Sequence, residues 1–261
     1  MAEWSSLHDS AAVALVSAHT GPTDMIAAQA EALAAACRRL HARGLLAGAD
    51  GNLSGRQLDG TLQVTASGVD KARVDATQVL RVHADGSPYH EPPQAAAGDA
   101  LGMTRGGMPL RASSELGMHL AIYAARADVH AVVHAHPPVA TGFAAAGLDL
   151  PANVLPELPV VVGPVALVPY GRPGTPALAQ AMSPYLASHE AFLLANHGVT
   201  AVGRSLSDAL LRMESVEQAA RIVAVARLLG GERLLPPGEA AALASLRDAG
   251  DLVGTQTPRT S

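Results

Sequence analysis

Short apolar runs such as VHAVVHAH (129–136) and AFLLANHG (191–198) alternate along this chain with longer stretches of helical spacing. A short apolar run bounded by turn residues reads as a buried strand. Apolar residues recurring with a period of about 3.6 read as one face of a helix. Several of the strand-like runs are joined by turns of hairpin length. The pattern predicts an α/β fold, a single domain in which helices cover a mixed or antiparallel sheet.

Residues 1–22 read as a loosely ordered extension. TDMIAAQAEALAAACRRLHARG (23–44) is expected to be a helix, capped by Thr23 or Asp24 and ended by Gly44. LLAGADGNLSGR (45–56) is turn-rich and suits a tight connection between short strands. TLQVTASG alternates like a strand, and VDATQVLRVHADGSPYH reads as a short helix followed by a hairpin around Asp85-Gly86. Residues 91–111 form a Pro/Gly-rich inserted connection, a surface excursion or a mobile flap. SSELGMHLAIYAARAD is a helix with Ser113 or Ser114 as its cap, and LPVVVGPVALVPY supplies one or two strands. TPALAQAMSPYL is a helix that Pro184 ends or kinks, and LSDALLRMESVEQAARIVAVARLLGG is the longest helix, with Gly230 and Gly231 past its end. The tail from 232 to 261 is helical in part.

Composition narrows the class. Apolar residues make up 49% of the chain while aromatics are only 3%, so alanine and leucine must carry the core. A net charge of −5, without Lys or Arg runs, gives no footprint for nucleic acid or for an anionic membrane surface. No uncharged apolar run approaches the roughly 18 residues of a membrane helix, and the N-terminus shows no signal peptide. The single cysteine, Cys37, excludes an internal disulfide framework and suits a reducing, cytoplasmic setting. It reads as a small core residue, with a nucleophile as the alternative.

The chemistry-bearing residues are histidines. In a strand, residues two apart face the same side, so His134 and His136 point together as a metal clamp requires. Pro137 and Pro138 stop that strand at once and leave His136 at an edge or cleft mouth. Two histidines satisfied by neighbours are the alternative, and the pair alone is a weak signal. His197 ends a second apolar run and is followed by Gly198, which leaves room for close approach. Three neutral imidazoles with an open fourth position make a catalytic site for a borderline metal, zinc most simply. His130 opens the strand and reads as a bystander. Glu115 follows two serines at a helix start, where a carboxylate is also an ordinary capping feature. His119 lies four residues on, on the same helix face, either orienting Glu115 or simply packing.

Five motifs in order carry a family resemblance: GNLSGR (51–56), TASGVDK (65–71), SSELGMHLAIYAARADVHAVVHAHPP (113–138), VPYGRPGT (168–175) and LLANHGVTAVG (193–203). Together, from about residue 24 to 230, they resemble the class II aldolase and adducin-head family, whose enzymes include fuculose-1-phosphate aldolase and ribulose-5-phosphate 4-epimerase. The resemblance implies a three-layer α/β domain over 23–231, with a central, mainly antiparallel sheet covered by helices. It also implies a homotetramer with active sites between subunits. One divalent metal per chain, Zn2+ first with Mn2+ or Co2+ as alternatives, falls on His134, His136 and His197. The acid/base falls on Glu115, which is able to approach the metal when substrate is absent. The anion-cradling positions fall on Asn52, Ser67, Gly68, Ser113 and Ser114. Hydroxyls, amides and a helix N-terminus make an anion site on physical grounds as well.

The implied activity is a lyase reaction: reversible cleavage of a phosphorylated ketose or similar polyol into a three-carbon ketone, dihydroxyacetone phosphate-like, and an aldehyde. A metal-stabilised enediolate links the two. The alternative is a metal-dependent decarboxylase of an oxo-acid phosphate or dihydroxy-aromatic acid on the same scaffold. A 4-epimerase and a non-catalytic adducin-like interaction module are weaker readings, the latter opposed by the intact histidines and Glu115. The ligand is then a small sugar phosphate or an oxo or hydroxy acid. Two departures fall on the aldehyde half of the aldolase site. Leu155 stands where a tyrosine would fall by counting, and no tyrosine follows Tyr185. Glu157 is an extra acid nearby, either serving that half of the substrate or a solvated loop charge.

Overall fold

The computed structural model describes residues 21–89 and 109–248. The expected extension up to position 20, most of the 91–111 connection and the end of the tail lie outside these residues. In chain order the elements are α1 (Pro22–Ala42), β1 (Asn52–Arg56), β2 (Leu62–Thr65), a 3₁₀ turn (Ala76–Gln78), β3 (Val79–Val82) and α2 (Leu116–Ala125). There follow β4 (Ala131–Ala135), α3 (Pro138–Ala146), α4 (Glu157–Val161), β5 (Val165–Val168) and α5 (Pro176–Met182). The described chain closes with β6 (Ala191–Leu194), β7 (Gly198–Gly203), α6 (Leu206–Leu228) and α7 (Glu239–Asp248).

The strands form one sheet of seven in the order β3-β2-β1-β4-β7-β6-β5. Every neighbouring pair is antiparallel except β5–β6, which is parallel and joined through α5. This is a single domain with a mixed, mainly antiparallel sheet flanked by helices.

Alternation along the strands decides which helices pack where. Leu53, Val133 and Val199 face one side, where Leu33 and Leu40 of α1, Phe143 of α3 and Met213 of α6 meet them. Val132, Val202, Phe192 and Leu194 face the other, against Met118 and Ile122 of α2 and Leu178 and Met182 of α5. Three layers result. Truncating a fully buried aromatic such as Phe192 to alanine costs about 3–5 kcal/mol, so this central packing holds much of the net stability.

Five features differ from the sequence reading. GNLSGR is not a connection, because Asn52–Arg56 is the buried strand β1 beside β4. Its polar residues Asn52 and Ser54 are satisfied by Glu115 and by His119 and Tyr123 of α2, a compensation invisible to local patterning. In LPVVVGPVALVPY only Val165–Val168 is a strand, and Glu157–Val161 is helical. Pro159 lies in the first turn of α4, where a missing N–H costs nothing, whereas in a strand it would break the ladder. Helix α3, which Pro137 precedes as N-cap and Pro138 begins, has no counterpart in the sequence reading. Gly21 rather than Thr23 or Asp24 takes the N-cap of α1, and Asp24 accepts from the Gly21 N–H at 3.2 Å. Glu115, not a serine, takes the N-cap position of α2, with the Ser113 hydroxyl accepting from its N–H at 3.3 Å.

Candidate active site

Sheet register assembles the centre. Asn52 of β1 pairs with His134 of β4, and His134 pairs with Thr200 of β7, so three polar side chains form a row on one face. His136 follows β4 and is turned back toward His134. His197 stands in the tight β6–β7 turn, next to Asn196, whose φ of 56° lies in the left-handed region that asparagine tolerates. Gly198 is required there. An added Cβ would lie 2.5 Å from His136 Cδ2 and 2.7 Å from the Ala135 carbonyl.

The three histidines converge, each offering a ring nitrogen within 4.8 Å of the others. His134 Nε2 and His136 Nε2 are 3.3 Å apart. His134 Nδ1 lies 3.0 Å from the Val199 carbonyl, which can only accept. Nδ1 therefore carries the proton and Nε2 turns its lone pair inward, the tautomer a metal ligand needs. His136 is held neutral, its pKa lowered to about 4 by burial and by the neighbouring His134 and His197.

Glu115 closes the cluster. Its Oε2 is 3.2 Å from His134 Nε2 and its Oε1 3.0 Å from His197 Nε2. Among the described residues Oε1 nevertheless has no donor aimed at it, and His197 Nδ1 is likewise buried without a partner. Lone pairs and a carboxylate crowded into one buried spot call for positive charge. A divalent cation fits this donor set.

Behind Glu115 runs a hydrogen-bond chain through the second layer. Asn52 Nδ2 donates to Glu115 Oε2 at 2.9 Å, and His119 Nε2 contacts Asn52 Oδ1. His119 Nδ1 lies 2.6 Å from Ser54 Oγ, which is 2.9 Å from the Tyr123 hydroxyl. His119 is fully buried, and its pKa is lowered to about 3 by burial and then by His134, against the opposing pull of Glu115. A neutral His119 with its proton on Nε2 satisfies every link, each donor feeding the next acceptor toward Glu115. Of the two roles open to His119, orientation is the one its contacts describe, acting through Asn52.

A cavity of ≈ 530 Å³ opens over the cluster. Ser67, Gly68, Ser113 and Ser114 line it beside Asn52 and Glu115, so all the expected site positions except buried His134 share its wall. The Ser67 N–H is already given to the Arg111 carbonyl at 2.8 Å, which leaves its hydroxyl for a ligand. Two lining residues that sequence reading did not single out are Lys71 and Arg172, although both stand in the quoted motifs TASGVDK and VPYGRPGT. Glu157 is exposed at the start of α4 and does not line the cavity. Cys37 is buried with its pKa pushed up to about 12, chiefly by burial, which suits a core thiol.

The family described as the class II aldolase and adducin N-terminal domain matches residues 31–224, and the chain belongs to it. Among curated relatives, 3-oxo-tetronate 4-phosphate decarboxylase of Escherichia coli (strain K12) is 36% identical over 209 residues, covering 78% of this chain and 89% of that protein. The 5-deoxy-D-ribulose 1-phosphate aldolase of Bacillus thuringiensis serovar kurstaki is 31% identical over 211 residues, covering 80% and 90%. A solved L-fuculose 1-phosphate aldolase superposes with a TM-score of 0.70 at 28% identity, covering 83% of this chain and 94% of that one. Among the described residues no helix is long and apolar enough to cross a membrane.

Proposed function

We propose that this chain is a divalent-metal-dependent lyase that breaks a carbon–carbon bond beside a ketone in a small phosphorylated substrate, most specifically an oxo-acid phosphate that it decarboxylates. The observation that carries this reading is the convergence of His134, His136 and His197 with Glu115 only 3.0 and 3.2 Å away. A divalent ion held by the three imidazoles supplies a Lewis-acid sink for charge developing on substrate oxygen. Zn2+ suits three neutral nitrogens, with Mn2+ or Co2+ as alternatives.

The residues divide the remaining work. Serine hydroxyls of Ser67, Ser113 and Ser114, backbone at Gly68 and the second Asn52 amide hydrogen hold the phosphate. Binding energy from that remote group fixes the reacting carbon against Glu115. Substrate oxygens entering the cluster displace Glu115 from the imidazoles, and burial then raises its basicity into a useful range. Loss of carbon dioxide from a 3-oxo acid leaves the bonding electron pair as an enediolate. Glu115, which takes up a proton from water once it has left the imidazoles, delivers it to that carbon, giving a three-carbon ketone phosphate and regenerating the carboxylate.

Two observations favour decarboxylation over aldol cleavage. Identity is higher to the decarboxylase than to the aldolase, 36% against 31%. Leu155, at the position counted to the aldehyde-side tyrosine, packs against the hydrophobic core. Aldol cleavage of a phosphorylated ketose is the second reading, since it passes through the same enediolate and has a relative of that activity at 31% identity. The family resemblance adds a homotetramer with sites between subunits as the working assembly.

The test is proton NMR of the zinc-loaded protein in deuterium oxide with dihydroxyacetone phosphate, followed by 3-oxo-tetronate 4-phosphate. Stereospecific exchange of one carbon-bound proton shows enediolate chemistry. Carbon dioxide release from the oxo acid then assigns the decarboxylase. Condensation of the ketone with an added aldehyde, without action on the oxo acid, assigns the aldolase. Absence of both exchange and release in metal-replete protein overturns the proposal.

A further inference from the structure

The cavity wall formed by the loop from Gly171 to Thr175 carries a cation that the mechanism above does not use. Arg172 is exposed and lines the cavity together with Ser67, Ser113 and Ser114. Among the described residues no carboxylate or carbonyl pairs with its guanidinium. The backbone beneath it is fixed. Thr175 Oγ1 donates to the Arg172 carbonyl at 2.7 Å and accepts from the Ala177 N–H at 3.3 Å. Pro173 restricts Arg172 to extended backbone. A side chain at Gly171 would meet Leu178 Cα at 2.5 Å, so the loop is wedged against α5. At Gly174 the loop passes Ser114, whose carbonyl would lie 3.5 Å from an added Cβ.

The other lining cation is already committed. Lys71 is buried, and its ammonium donates to the Ala49 and Val69 carbonyls at 3.2 and 3.3 Å. The serine wall therefore supplies shape and neutral hydrogen bonds, while Arg172 alone of the two brings five uncommitted donors on a braced loop.

We propose that Arg172 is the charged clamp for the substrate's phosphate, a specificity-determining residue that makes the cavity select phosphorylated over unphosphorylated small ketones. The proposal rests on the phosphorylated-substrate reading given above. A planar guanidinium engages two phosphate oxygens at once, a geometry that a lysine does not reproduce. Placing it instead on the carboxylate to be lost would work against the reaction, because that pairing stabilises a charge that must disappear as carbon dioxide forms.

Isothermal titration at millimolar ligand tests this on the metal-loaded full chain, comparing dihydroxyacetone phosphate with dihydroxyacetone for wild type, Arg172→Ala and Arg172→Lys. The expected result is a wild-type preference for the phosphorylated ligand. Arg172→Ala weakens binding of that ligand by about 10- to 100-fold, leaves dihydroxyacetone binding unchanged, and Arg172→Lys recovers part of the loss. In turnover the same alanine variant raises KM far more than it lowers kcat. A preference retained in full by Arg172→Ala overturns the role of Arg172 while leaving the phosphate reading intact. Equal losses for both ligands also overturn it, since they report damage to the loop. A wild-type protein that does not distinguish the two ligands overturns the phosphate reading and this proposal with it.

Discussion

Asn52 and Glu115 meet where β1 passes the start of α2, the Asn52 amide donating to Glu115 Oε2 at 2.9 Å. The same amide group faces His119 through its oxygen, so one side chain ties the acid/base candidate to a buried imidazole. Asn52→Ala orphans both partners. Each buried polar group left unpaired costs about 1–3 kcal/mol. A lowered Tm is expected, together with a fall in kcat/KM of at least about tenfold, as for other groups that orient a metal-site ligand. An unchanged rate in the folded variant would remove Asn52 from the machinery.

Removing one imidazole tests the metal centre directly. His136→Ala is expected to purify with far less than one divalent ion per chain and to lose activity by at least about a hundredfold. Chelation of the wild type should lower its Tm, because an ion that binds only the folded state stabilises it by mass action. Elemental analysis of both proteins decides the matter; equal metal content would refute the three-histidine assignment.

Glu115→Gln keeps shape and removes the titrating oxygen. Proton exchange at the ketone carbon should fall by about 10²- to 10⁴-fold, the usual range for a lost general acid/base. The variant should still bind metal through the histidines. Full exchange activity in metal-loaded Glu115→Gln would move the acid/base elsewhere.

Glu217 of α6 is buried, and its carboxylate accepts from the Val139 N–H at 3.2 Å, the Ala140 N–H at 2.9 Å and Arg221 at 2.8 Å. It caps the helix that begins two residues after His136. Glu217→Ala leaves the Val139 and Ala140 N–H groups without their acceptor, at about 1–3 kcal/mol each, while half-exposed Arg221 returns to solvent at little cost. Weakened metal retention should accompany it. Denaturant titration and metal competition measure the two effects separately.

Acid should destabilise this protein partly through His119. Its folded pKa of about 3 lies below its ordinary 6.5, so between those values the unfolded chain holds a proton that the folded chain refuses. Stability from this group is present above pH 6.5 and is lost as pH falls toward 3. The slope approaches about 1.4 kcal/mol per pH unit for one proton. Metal-free wild type should therefore lose more stability between pH 7 and pH 5 than metal-free His119→Gln. Parallel losses would show that the histidine titrates normally.

What could be read beforehand was whatever depends on spacing. Two histidines two apart on a strand halted by proline, and a third before a glycine, announced themselves because a strand has a period of two. Glu115 and His119 shared a helix face by the same kind of arithmetic. What depends on tertiary partners stayed hidden. The D-G and G-N steps at residues 50–52 made β1 look like a connection, and its polar Asn52 and Ser54 are stable inside a sheet only because His119 and Tyr123 of α2 supply their hydrogen bonds. LPVVVGPVALVPY read as one or two strands through its β-branched residues, and it holds one, because Pro159 and the packing of Leu158 into the core make its first part a helix. Arg172 and Lys71 belong to no spacing rule; a cavity wall joins segments that sequence keeps far apart.

The position of β4 and β7 near the middle of the sheet has a kinetic meaning. Each is flanked by strands on both sides, and sheet interiors open last, close to the free energy of global unfolding. His134 sits inside β4, and His136 and His197 immediately adjoin those two strands. Glu115 stands instead at the first step of a helix, outside the sheet. The centre thus draws three imidazoles from the slow-opening part of the sheet and its carboxylate from a helix start. Local fraying should leave the three imidazoles in place, so exchange of an ion bound there should be slow, limited by opening of the sheet rather than by fraying of the helix start.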